Sequence, residues 1–146
     1  MMCLDVLIAD QDAELAELYC RFLAVHGFLT DTAKTGLECL GKVHNLAPNV
    51  LVLDRELRWG DADGVLACLR EDDLSISVIL TSWNASPARA RELVASPVVL
   101  CLRKFFTLPA LLDGIRFAVD SNSSRDAFSA KVERIHQGEP TWSASK

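Results

Sequence analysis

Four short apolar runs in this chain stop on residues that can do chemistry. One ends on Asp10-Gln11-Asp12; a second, Asn49-Val50-Leu51-Val52-Leu53, on Asp54; a third on Thr81-Ser82; a fourth on Arg103-Lys104. Runs this short, rich in Val and Leu and introduced by a turn signal such as Ala47-Pro48, read as central strands of a parallel sheet covered on both faces. In that architecture the carboxyl ends of the strands lie along one edge, where function sits. Asp10, Asp54, Thr81 and Lys104 are therefore expected side by side. Two carboxylates in one place call for a cation, and Mg2+ retaining several waters suits them. With a lysine and a hydroxyl alongside, the set describes a phosphoryl-binding site: a carboxylate attacks, and the cations neutralise the charge that develops.

The elements that must position these residues follow from pattern. Strands are predicted over 3–9, 28–33, 49–54, 76–81 and 98–102. Between them, Asp12 can cap a helix carrying Leu15, Leu18, Phe22 and Val25 that stops at His26-Gly27, where glycine suits a left-handed cap. Thr35 and Glu38 form a capping box opening a helix with Leu37, Leu40 and Val43. Asp63 can cap a third helix with Val65, Leu66 and Leu69, Ser86-Pro87 opens a fourth, and 108–119 supplies the last. Those Leu and Val positions are expected to be core. Five alternations of strand and helix predict an α/β fold, a doubly wound five-stranded parallel sheet in three layers. Residues 1–120 would form the domain. Ser121-Asn122-Ser123-Ser124 would start a linker, and Phe128, Val132 and Ile135 fall at helical spacing in a tail spanning 121–146.

Composition excludes several classes. With half of its 146 residues hydrophobic the chain is no disordered segment, and a net charge of -5 without a Lys/Arg cluster argues against nucleic-acid or anionic-membrane partners. No run approaches the length of a membrane span, and the amino terminus lacks a signal pattern, so a cytoplasmic location is expected. The five cysteines, Cys3, Cys20, Cys39, Cys68 and Cys101, are scattered without metal-site spacing and are expected to be reduced.

In its ordered strand ends the sequence resembles, over 3–120, the receiver domain of bacterial two-component response regulators, the CheY-like form of the flavodoxin-like fold. Asp10, Asp54, Thr81 and Lys104 match that family's positions in order. The resemblance implies that Asp54 is the phosphoacceptor and that Asp10, Asp54 and the Glu56 backbone carbonyl hold Mg2+. Thr81 would bond a phosphoryl oxygen and Lys104 would pair with the phosphoryl group. A phosphoprotein of this kind carries aspartyl phosphate, received from a sensor histidine kinase or phosphotransfer protein, and signals by binding an unknown downstream protein. It is not an enzyme beyond its own phosphoryl transfer and autodephosphorylation.

Departures from the family pattern carry their own expectations. Gln11 replaces the usual second acid, which predicts weak Mg2+ binding; Glu56 and Asp12 are the acids at hand to compensate, though Asp12 is more simply a cap. The loop 55–64 is lengthened and lacks the usual proline. Phe105 stands where the family has a cis proline, and because a cis bond before a non-proline costs about 2.5 to 4 kcal/mol, a trans bond and a displaced lysine are expected. Cys101 replaces an aromatic, leaving Trp83 or Phe105 to transmit activation. Gln11, Phe105 and Cys101 motivate an alternative, a degenerate pseudo-receiver serving as a phosphorylation-independent interaction module. A further alternative is a haloacid-dehalogenase-type phosphohydrolase with Asp10 as nucleophile and Asp12 as general acid, although Glu14 departs from that pattern and Asp54 would have no task.

Overall fold

The computed structural model describes residues 4–72, 74–83 and 97–123. The helix expected from Ser86-Pro87 and the tail beyond Ser123 lie outside the described residues. The apolar runs form β1 (Val6–Ala9), β2 (Thr30–Ala33), β3 (Val50–Asp54), β4 (Ser77–Ser82) and β5 (Val98–Arg103). They make one sheet of order β2-β1-β3-β4-β5, with every neighbouring pair parallel. The described helices are α1 (Ala13–Val25), α2 (Gly36–Leu46), α3 (Ala62–Glu71) and α4 (Leu108–Ser123).

Both faces of the sheet are covered, which is why its central strands read as unbroken apolar runs. Side chains alternate along each strand. Leu7, Leu51, Leu53, Val78 and Leu80 pack with Cys39 and Val43 of α2 and Val65, Leu66 and Leu69 of α3. Val6, Ile8, Val50, Val52 and Ile79 pack with Ala16, Tyr19 and Leu23 of α1 and Leu111, Ile115 and Ala118 of α4. This is the expected three-layer α/β/α arrangement. A register shift between Val78 and Ile79 inserts Val99 as an extra residue on β5, so that Val99 and Leu100 face the same layer.

Two helix faces differ from expectation. Leu18, Val25 and Leu37 are 49%, 83% and 73% exposed. On α1 the buried stripe is Ala16, Tyr19, Cys20 and Leu23, a full i, i+3, i+4, i+7 face built largely from small or polar-tipped residues; Leu18 and Val25 then fall on the outer side. Asp12 caps α1 as expected, accepting from the Leu15 amide, and Gly27 takes a left-handed φ of 91°. Thr35 caps α2 through the Glu38 amide, but Glu38 reaches back to the Lys34 amide and not to that of Thr35. Asp61, and not Asp63, caps α3 by accepting from Gly64; left-handed Trp59 and Gly60 complete the loop's turn just before it. The segment expected to open a linker is helical through Ser123, and within it the Ser121 side chain is buried with its hydroxyl donating to the Phe117 carbonyl.

The long loop after β3 is tied to α2. Gly36 and Leu37 donate to the carbonyls of Arg58 and Trp59 at 3.1 and 3.2 Å, and Thr35 and Arg58 form an isolated parallel bridge. These bonds occupy first-turn amides that a helix cannot satisfy internally.

Candidate functional site: a buried acidic pocket at the carboxyl edge

The strand order reverses between β1 and β3, so the residues that end them flank the switch point where such sheets place their sites. Asp10 follows β1 and Asp54 ends β3, and both are buried, Asp54 completely at 0% exposure. Lys104, which follows β5, is buried with them. Its Nζ lies 3.0 Å from Asp54 Oδ1 and 3.6 Å from Asp10 Oδ2. Thr81 is the β4 neighbour of Asp54 in register, and its carbonyl accepts from the Arg55 amide at 2.8 Å.

Each carboxylate is oriented by its own loop. Asp10 Oδ1 accepts from the Asp12 amide at 2.9 Å, and Asp54 Oδ1 from the Glu56 amide at 3.0 Å. Burial pushes the Asp10 carboxyl up to about 6. The Asp12 amide opposes this, the Asp54 charge adds to it, and Lys104 offsets part of it. One lysine thus faces two acids, and a second cation would relieve the excess negative charge.

The displacement expected of Lys104 does not occur. The described residues contain no cis peptide bond, as a non-proline at 105 requires, and Phe105 instead turns the chain with a left-handed φ of 74°. That turn leaves Lys104 pointing inward and Phe105 88% exposed. The Phe105 ring meets Trp83 edge-on at 4.7 Å between centroids, and Lys104 Nζ lies 5.3 Å from the centre of the Trp83 ring, within cation–π range.

Gln11 is exposed. Asp12 is exposed and caps α1. Cys101 pairs with Leu80 and packs with the α2/α3 layer, where burial raises its thiol pKa. Cys20, Cys39, Cys68 and Cys101 are free thiols.

The Glu56 side chain belongs at the site more firmly than its sequence context indicated. Its Oε1 accepts from the Trp83 amide at 3.1 Å and the Ser82 hydroxyl at 3.4 Å, spanning from the β3 exit to the β4 exit. Asp54 Oδ2 and Glu56 Oε2 are buried carboxylate oxygens without a hydrogen-bond partner. Oxygens in that condition are costly unless something occupies them, and their chemistry fits a hard divalent cation. As the side chains stand, no three acidic, histidine or cysteine groups among the described residues converge on one ion position.

A family model described as the response regulator receiver domain matches residues 6–116. The chain belongs to the response regulator receiver domain family. Among solved structures it is similar to a signal receiver domain from Vibrio parahaemolyticus, with 20% identity and a TM-score of 0.79 over 87% of this chain and 98% of that one. A CheY-like receiver domain from Methanospirillum hungatei gives 20% identity and a TM-score of 0.75 over 83% and 97%. The receiver domain of the Francisella response regulator 1452 gives 25% identity and a TM-score of 0.75 over 80% and 97%. No curated protein matches the chain. Receiver domains are signalling modules of two-component systems, and in the described residues no helix is long and apolar enough to cross a membrane.

Proposed function

We propose that this receiver domain accepts a phosphoryl group on Asp54 from a histidine kinase or phosphotransfer protein and signals through altered binding to a downstream protein. The observation that carries the reading is the state of Asp54: fully buried, one oxygen on Lys104 and the other without a partner. In the reaction an Asp54 oxygen forms the new O–P bond as the donor's phosphorus–nitrogen bond breaks, and the departing imidazole retains the electron pair and takes a proton. Lys104 pairs with the incoming phosphoryl oxygens, and the Thr81 hydroxyl, one strand away, bonds another. Asp10, Asp54 and the Glu56 carbonyl would hold Mg2+, which when bound offsets charge on the phosphoryl group.

The phosphohydrolase reading would need Asp12, which is exposed and caps α1 through the Leu15 amide, as its general acid, and would leave the buried Asp54 without a task. The exposed Gln11 keeps the interaction-module reading in play as the competing outcome of the test. Intact mass is measured after incubation with acetyl phosphate and Mg2+, beside Asp54→Asn, with amide NMR in beryllofluoride. One phosphoryl adduct that depends on Asp54 is expected. A protein that takes up no adduct and shows no beryllofluoride shifts near Asp54, Thr81 and Lys104 is the phosphorylation-independent module instead.

A further inference from the structure

Nothing of Asp54 reaches solvent, so for its free oxygen to meet a cation or a phosphorus atom a neighbour must move. The groups around it are not equally tethered. Asp10 is held by the Asp12 amide and Lys104 by two carboxylates. The Glu56 carboxylate is held at one oxygen only, by a backbone amide and a long hydroxyl contact, while its other oxygen is buried without a partner. It bridges the two strand exits beside Asp54. It is also an acid at a site whose second acid is replaced by an exposed glutamine, and Asp12 is engaged elsewhere.

We propose that the Glu56 carboxylate has two positions: a latch on Trp83 when the site holds no cation, and a ligand of the divalent cation when it does, replacing the acid absent at Gln11. This deepens the receiver reading of the same pocket. The unpartnered, fully buried Asp54 Oδ2 is the independent sign that the pocket takes a cation. Loss of the Glu56 contact frees the Trp83 amide, and with it the ring that packs on Phe105 and over Lys104. Cation binding is thereby coupled to the exposed aromatic pair beside Lys104.

The test is Mg2+ titration by calorimetry and by Trp83 emission, in a Trp59→Phe, Trp142→Phe background that leaves Trp83 as the one remaining tryptophan of three. Mg2+ is expected to bind and change Trp83 emission. Glu56→Gln, which keeps an oxygen to latch Trp83 but removes the charge, weakens Mg2+ by about tenfold or more and abolishes the emission change. Adding Gln11→Asp to Glu56→Gln restores affinity by calorimetry without restoring the emission change, separating ligand from latch. The proposal is overturned if Glu56→Gln binds Mg2+ as tightly as its parent, if Mg2+ binds with Trp83 emission unchanged, or if the parent binds no Mg2+ at tens of millimolar. The phosphoryl adduct is scored separately: a protein that binds Mg2+ through Glu56 yet takes no phosphoryl group retains this inference and loses the proposed function.

Discussion

Two glycines of α2 offer the same substitution with opposite expected signs. A Cβ at Gly36 would collide with the Gly60 carbonyl oxygen and lie 2.6 Å from its carbon and 2.8 Å from its Cα, all backbone atoms that no side-chain rotation can clear. Gly36→Ala must therefore push the β3–α3 loop off the helix start, breaking the bonds from Gly36 and Leu37 to Arg58 and Trp59. Two backbone bonds at about 1 kcal/mol each, offset by at most about 1 kcal/mol of improved helix propensity, predict a net loss of roughly 1 to 2 kcal/mol. Gly41 has open space around its Cβ position. Gly41→Ala therefore stabilises by about 0.5 to 1 kcal/mol, through propensity alone. Urea unfolding of both variants beside the wild type, with slopes compared so that midpoints report stability, reads the difference directly. If Gly36→Ala is neutral or stabilising, the loop is not clamped as described and the reasoning fails.

His44 predicts a pH dependence. Its ring bonds the Leu40 carbonyl and, at 2.8 Å, Asp72 at the end of α3, and these contacts raise its pKa, the carbonyl contact most. The stabilisation is fully present below the unfolded histidine pKa of about 6.5 and is lost as pH rises through the higher folded value. The gap in unfolding midpoint between wild type and His44→Gln should thus be wide in mild acid and close above neutrality; a gap that is flat, or widens with pH, contradicts the assignment. For the corrected face of α1, Leu23→Ala should cost about 2 to 5 kcal/mol while Val25→Ala stays within about 0.5 kcal/mol, measured by chemical denaturation. Equal losses would mean the helix is rotated from the position described.

The sheet was legible in the sequence because two-sided burial leaves an unmistakable mark: Val50 to Leu53 could be apolar throughout only if both faces are covered. The strand ends followed, and with them Asp10, Asp54, Thr81 and Lys104. Helix faces were less legible. Leucine and valine dominate a hydrophobic pattern, yet on α1 the sheet is met by Ala16, Tyr19 and Cys20, and which stripe wins is decided by the neighbouring strands and α4. The cap of α3 was read as Asp63, and Asp61 takes it because the left-handed turn at Trp59 and Gly60 sets the loop's path. The inward reach of Lys104 depended on a positive φ at Phe105, which no residue-type preference signals. Glu56 was legible as an acid two residues from Asp54 at a site short of an acid, but its reach to the Trp83 amide across the β4 exit was not.

The order in which the pocket's charges are laid down along the chain has a consequence for how the protein comes into being. Asp10 and Asp54 belong to the first three strands, whereas the lysine that faces them both follows the last. A chain emerging from its amino terminus has both acids long before it has their counter-charge, and a prematurely closed half-sheet would bury two uncompensated carboxylates at several kcal/mol each. The early half is thereby discouraged from settling alone. Arrival of β5 makes the centre electrically tenable, so Lys104, which faces both acids, also ties the two halves into a single cooperative unit.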